Sequence, residues 1–231
     1  AWYNSSLDDH SVPENYYYQV FRTPGELREN QTLVMVYKTP YYQTMVSRLH
    51  NFDGSMTSPS MVGYMEYEIP KSLRGIPAVS VYEILGPDAA REMLSRFESS
   101  PRAGMGASII STGLDSPVET VGALRHYRLI YEQAGTEYNT SPVYAQSVKV
   151  FEYVRGARLK GEGVIEVTIR TNLGRTFVYR QESENGFFIL PYATQGSRYP
   201  VKTVGSYRIL PSGMTFEVTE EDVLEGKVIA G

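Results

Sequence analysis

The sequence predicts an α+β chain: a mixed α/β core region followed by a C-terminal antiparallel β-sandwich or barrel-like unit. Three observations predict it. Two stretches of the first half have helical apolar spacing behind proline-marked starts, at 39–50 and from 87 onward. A turn-rich linker, "QAGTEYNTSP" (133–142), follows them. Beyond it the apolar period is two almost throughout. The expected division is 1–145, the C-terminal part of a mixed α/β core with room for a β insertion, and 146–231, an appended β-domain.

The elements are justified in order. Residues 1–30 are polar and turn-rich and read as loop. "QTLVMVY" (31–37) is short and apolar, as a buried strand is. Thr39 is the expected N-cap of a helix with Pro40 in its first turn, and Tyr42, Met45, Val46 and Leu49 form its apolar face. "NFDG" (51–54) ends it. Residues 55–80, rich in Ser, Pro, Gly and Met, have no assigned element until "AVSVYEIL" (78–85), a strand. Gly86-Pro87-Asp88 opens a second helix with an acid in its first turn; Ala90, Met93, Leu94 and Phe97 are its stripe, and Glu92 and Arg96 pair one turn apart. "ESSPRAGMGAS" reads as loop and "HYRLIYE" (126–132) as strand. In "GVIEVTIRT", Ile165, Val167 and Ile169 alternate with Glu166, Thr168 and Arg170, a strand with one wet face. "NLGR" and "SENG" are turns into "TFVYRQ" and "FFILPY", and "GSYRIL" and "MTFEVT" complete about six to seven strands in 146–231. Thr219 and Asp222 stand at capping-box spacing before a short helical turn.

Composition bounds the function. At 231 residues, with 42% hydrophobic and 21% charged residues, the chain can bury one large core or two small ones. The net charge of −4, with Lys71, Arg74, Lys149, Arg155, Arg158 and Lys160 scattered among acids and apolar residues, argues against a nucleic-acid partner. There is no cysteine, hence no disulfide framework and no thiolate site. No apolar run approaches the roughly 20 residues that span a bilayer. The opening "AWYNSS" lacks an initiator methionine and reads as a processed product or a piece of a longer chain. Sequons at Asn4, Asn30 and Asn139 are weak signs of an exterior location.

The search for chemistry is largely negative. His10, His50 and His126 have no metal-type spacing, and Asp8-Asp9-His10 reads as a solvated loop. His50 sits at a helix end, which favours capping over catalysis. "GMGAS" (104–108) lacks the lysine of a phosphate loop, and no Gly-x-Ser-x-Gly elbow occurs. Nineteen tyrosines leave a carbohydrate platform conceivable, although scattered tyrosines are more often core and rim. We expect Arg48, His50 and Asp53 to form a structural knot at the first helix end.

Four segments, in this order, resemble the C-terminal globular region of an archaeal oligosaccharyltransferase catalytic subunit, the AglB family: "YYQTMVSRLHNFDGS" (41–55), "ALRHYRLIYE" (123–132), "SVKVFEYVRGARLKGEG" (147–163) and "TFVYRQESENGFFILPYAT" (176–194). The likeness covers roughly 16–55 and 123–195; 56–122 resemble the family only loosely. The family's Trp-Trp-Asp-Tyr-Gly signature is missing, since Trp2 is the one tryptophan and Tyr3 follows it. No catalytic residue is therefore carried over.

The resemblance implies a C-terminal fragment of a membrane glycosyltransferase. The full-length protein would move a glycan from a lipid-linked, dolichol-phosphate type donor to the Asn of Asn-x-Ser/Thr sequons. This fragment would scaffold the acceptor pocket without being active alone. A divalent metal, Mn or Mg, is implied for the full-length enzyme and none for this fragment. The implied partners are its own N-terminal multi-pass membrane domain, acceptor polypeptides with Asn-x-Ser/Thr and the lipid-linked oligosaccharide. The implied location is the extracytoplasmic face of the cell membrane. The alternative is a secreted or cell-surface β-rich binding module, transthyretin-like or carbohydrate-binding and non-enzymatic.

Overall fold

A computed structural model describes residues 2–4, 9–12, 16–23, 32–72, 75–134 and 148–229. The chain divides into two compact units: residues 1–47 with 58–121, and residues 48–57 with 122–231.

In the first unit, β1 (Trp2–Asn4) and β2 (Asp9–Val12) pair antiparallel. The main sheet has β3 (Tyr18–Thr23), β4 (Thr32–Tyr37), β5 (Val62–Glu68), β6 (Ala78–Leu85) and β7 (Met105–Ile110), in the order β4-β3-β6-β5-β7. Three of these strands, β3, β5 and β7, fall where the sequence pattern predicts loop or no element. The reason is clearest for β5, which is flanked by β6 and β7 and covered on both faces. Val62 and Tyr64 pack with Ala90 on one side, and Met65 packs with Phe21, Val36, Val79 and Ile110 on the other. A strand buried twice shows no polar alternation. Gly63 is required there by close approach, because a Cβ would lie 2.8 Å from Ile110 Cγ1.

The expected helix over 39–50 is two pieces, α1 (Thr39–Tyr42) and α2 (Met45–His50). Lys38, not Thr39, is the N-cap of α1, and its side chain does not cap the helix. Thr44 makes the break: its Oγ1 donates to Tyr41 O at 2.8 Å and accepts from Ser47 N–H at 3.2 Å, so it caps α2 afresh. The break resets the helical register. Tyr42 and Ser47 become the buried residues, while Met45 and Val46 turn outward, 43% and 73% exposed. Further along, α3 (Pro87–Ser99) keeps its expected stripe, with Gly86 as N-cap, Ala90 buried and Met93 and Leu94 packed beside it.

The second unit is β-rich. β8 (Tyr127–Gln133) pairs with β9 (Val148–Tyr153). β10 (Ala157–Lys160) lies between β13 (Phe187–Leu190) and β16 (Val228–Ile229), antiparallel to the first and parallel to the second. β11 (Val164–Arg170), β12 (Thr176–Glu182), β14 (Lys202–Leu210) and β15 (Thr215–Phe216) form a sheet in the order β12-β11-β14-β15. α4 (Glu220–Glu225) carries the expected capping box from Thr219 and Asp222. One core of Ile165, Val167, Ile169, Tyr179, Phe188, Leu190 and Tyr207 joins these open sheets as a sandwich. The α+β class holds, with the β-rich part last.

Buried polar groups in this core replace missing ladder bonds. Gln181, fully buried, donates from Nε2 to Ile189 O at 2.6 Å and accepts from Ile189 N–H at 3.0 Å, acting as a strand residue toward β13. Tyr207 does the same for Tyr192, its hydroxyl donating to the carbonyl and accepting from the N–H, both at 3.0 Å.

Candidate functional site

The expected knot residues all lie in the second unit. At the end of α2 the chain takes two consecutive left-handed residues, Asp53 at φ 54° and Gly54 at φ 76°. Asp tolerates this region better than most residues with a Cβ, and Gly freely. The turn aims the buried Asp53 carboxylate at two cations. Arg175 grips it with Nη1 at 2.7 Å and Nη2 at 3.0 Å, and Lys149 Nζ stands 2.8 Å from Oδ1. Lys149 Nζ also donates to His50 O at 2.6 Å. His50 thus joins through its backbone carbonyl. Burial pulls its imidazole below the ordinary value, with Lys149 adding to the effect. Arg48 points elsewhere, donating to Gly122 O at 2.9 Å and Ala123 O at 2.9 Å.

Three members of this cluster carry no signal in the sequence pattern: Glu132, Lys149 and Arg175. Glu132, 1% exposed, accepts from Thr171 Oγ1 at 2.5 Å and from Arg175 Nη2 at 2.7 Å. Burial alone would raise its carboxyl; Arg175 and Thr171 outweigh this and hold it below the ordinary carboxylate value. Asn172 completes the attachment, accepting from Glu132 N–H at 2.8 Å and donating to Glu132 O at 2.7 Å. The "NLGR" turn is therefore clamped onto β8 by its own polar side chains.

A second hub lies on the same strand. Arg128, 2% exposed, donates to Glu152 at 2.9 Å and to both oxygens of Glu220 at 2.9 and 2.6 Å. Its guanidinium lies over the Tyr199 ring at 5.3 Å.

Both arrangements are hydrogen-bonded throughout, and the first is also balanced in charge. Asp53 and Glu132 face Lys149 and Arg175, a pairing of two charges with two, and the one hydroxyl in the cluster, Thr171, is buried against Glu132. Buried ion pairs of this kind fix geometry more than they drive chemistry. His126 is likewise engaged, its Nδ1 3.1 Å from Val154 O and its ring stacked on Tyr153. In the first unit a cleft of about 320 Å³ is lined by Phe21, Val34, Val36, Met65, Val79 and Tyr82 among others, with no carboxylate, lysine, arginine or histidine in its wall. Among the described residues no group of three or more His, Asp or Glu could hold a metal ion. Asn4 ends β1, and Asn30 and Asn139 lie outside the described residues.

Asp53, Glu132 and Lys149 come from three of the four segments that carry the family resemblance, and Arg175 immediately precedes the fourth. Residues 153–229 match the archaeal glycosylation protein B long peripheral domain. The chain is 31% identical over 239 aligned positions to dolichyl-phosphooligosaccharide-protein glycotransferase 3 of Archaeoglobus fulgidus, covering 98% of this chain and 24% of that protein. It thus spans about a quarter of the length of that relative. A crystal structure of the A. fulgidus oligosaccharyltransferase, tethered to an acceptor peptide containing an Asn-Val-Thr sequon, shares the fold. Its TM-score is 0.52 at 20% identity, over 92% of this chain and 27% of that one. The same enzyme in complex with Zn and sulfate gives a TM-score of 0.46 at 22% identity, over 94% and 29% of the two chains. The residues that match the peripheral domain begin with the last residue of β9 and take in β10 to β16, the sandwich with its buried glutamine and tyrosines.

Proposed function

We propose that this chain is the C-terminal, membrane-external part of an oligosaccharyltransferase. The whole protein would transfer a glycan from a dolichol-phosphate type donor to Asn in Asn-x-Ser/Thr, on the extracytoplasmic face of the membrane. The observation that carries this reading is the alignment of 98% of the chain with one glycotransferase. The acceptor polypeptide, the lipid-linked oligosaccharide, a multi-pass membrane domain and a divalent metal, Mn or Mg, belong to that whole protein. No helix of the described residues is long and apolar enough to cross a membrane.

Within that protein the chain's own residues act as a scaffold. The cluster around Asp53 and Arg175 pins the end of α2 to the hairpin turn of β11 and β12. The peripheral sandwich supplies the rigid body against which the pin holds.

The test begins with the reading frame upstream of Ala1, followed by an assay of the complete gene product in membranes with a lipid-linked glycan and an Asn-x-Thr peptide. Membrane spans and sequon-dependent transfer are expected. A frame holding only a signal peptide, or a complete product without transfer, overturns the reading in favour of a secreted binding module.

A further inference from the structure

The outward face of the β12-β11-β14 sheet carries charge that the protein itself does not compensate. Arg170, the last residue of β11, lies directly opposite Lys202, the first residue of β14. Both are exposed, and neither has a carboxylate partner among the described residues. On the other side Arg170 faces Thr176, again not an acid. Directly opposed residues of antiparallel strands hold their Cβ atoms about 4.5–5.5 Å apart, and like charges there repel. A fold with net charge −4 has acids to spare, yet places none directly opposite Arg170.

Toward the other end of the face two acids stand among basic side chains. Glu166 is shared by Arg180 at 2.9 Å and Arg208 at 2.5 Å, and Glu182, exposed, lies opposite Val164, so the face as a whole carries four basic side chains and two carboxylates, with the acids at the end away from Arg170 and Lys202. Between these ends lie Thr168, Val178 and Val204, the two valines 36% and 47% exposed. Beside Arg170, at the tip of the hairpin, Leu173 is 51% exposed. Its turn neighbours Thr171, Asn172 and Arg175 are all committed to Glu132, so the turn is rigid and Leu173 is the residue it presents.

We propose that this face binds phosphate-bearing anions, and specifically the headgroups of an anionic lipid bilayer. Opposed cations without acids call for anionic oxygens. A free phosphate would use only those cations, whereas a bilayer interface also accepts the apolar Leu173 tip and the valines. The overall negative charge does not prevent this, because at about 0.15 M salt repulsion from charges more than about 8 Å away is largely screened. The inference concerns this chain's own surface and holds whether or not the enzyme reading does.

The test is co-sedimentation of the 231-residue chain with phosphatidylcholine vesicles with and without phosphatidylglycerol. Binding is expected only with phosphatidylglycerol and should vanish in about 1 M salt, where the Debye length is about 3 Å. A basic side chain near an anionic surface is worth about fivefold in partitioning, so Arg170→Gln with Lys202→Gln should weaken binding about 25-fold. Leu173→Ser should weaken it severalfold, and Lys160→Gln, on another strand, should leave it unchanged. All four positions are solvent-facing, and equal melting temperatures would confirm intact folds. Equal binding to both vesicles, or no loss in the Arg170/Lys202 variant, overturns the proposal. Perturbation of the Arg170 and Lys202 amides by inorganic phosphate without vesicle binding overturns the bilayer and assigns a free phosphate. Loss of transfer by the complete gene product would bear on the enzyme reading alone.

Discussion

Arg175 holds Asp53 with two parallel hydrogen bonds, at 2.7 and 3.0 Å, across 122 positions of sequence. The bidentate geometry matches a planar guanidinium to a carboxylate, which a lysine could not reproduce. Asp53→Ala leaves Lys149 and Arg175 facing a void and takes the left-handed turn from a residue that tolerates it. Breaking a buried pair costs about 3–5 kcal/mol, reduced here to about 2–3 because Arg175 is 39% exposed. Chemical denaturation should show that loss in the isolated chain. If Asp53→Ala left stability unchanged while abolishing transfer in the complete gene product, the structural role would be wrong.

Gln181 tests the core. Gln181→Leu keeps the volume but strands the N–H and C=O of Ile189 in the sandwich interior. Each unsatisfied buried group costs about 1–3 kcal/mol, so a total of about 2–6 is expected. Thr203→Val, which removes a 3.2 Å bond from a partly exposed hydroxyl to Ala193 O, should cost about 1 kcal/mol or less by the same measure.

Two glycines with the same backbone sign should respond differently. Gly174 has φ 83° and nothing within 4 Å of where a methyl group would stand, whereas Gly156 has φ 74° and Ile189 Cγ2 at 2.5 Å from that point. Gly174→Ala should cost only the left-handed penalty, about 1–2 kcal/mol. Gly156→Ala should cost that plus about 1–3 kcal/mol of overpacking. Paired melting curves separate the two contributions.

Acid should destabilise the second unit. Glu132, Glu152 and Glu166 have folded carboxyl values below the ordinary 4.5. For Glu132 and Glu152 burial opposes the shift, and the arginine bonds from Arg175 and Arg128 overcome it; for Glu166 the Arg208 bond leads. A depressed folded value means stability that is complete above the unfolded value and lost as pH falls through the folded one. The melting temperature should therefore stay level from neutrality to about pH 5 and fall below it. Arg175→Gln should flatten that fall, because Glu132 then loses the partner that depresses it.

The helix cap offers a small, local check. Thr219 accepts from Asp222 N–H at 3.2 Å, and Asp222 accepts from Thr219 N–H at 3.0 Å. Thr219→Ala should cost about 1 kcal/mol, visible as faster amide exchange across α4.

What the sequence determined by itself was whatever depends on neighbours along the chain. Alternation in "GVIEVTIRT", the capping pair Thr219 and Asp222, the proline start of α3 and the turns "NLGR" and "SENG" are local, and each stands where the sequence pattern puts it. The family likeness was legible for the same reason, as ordered phrases of sequence. Tertiary structure decided what depends on coverage and register. β5 is invisible to periodicity because a strand buried on both faces has no polar side to alternate, and the helix expected over 39–50 is too long because Thr44 bonds its own backbone and restarts the helix. Of the knot, Asp53 was legible as a turn residue. Lys149, Glu132 and Arg175 were not, because only the pairing of β8 with β9 and the fold of the β11–β12 turn bring those charges together. Arg170 and Lys202 are the same case: charges far apart in the chain become neighbours only through strand register, and register is a property of the sheet.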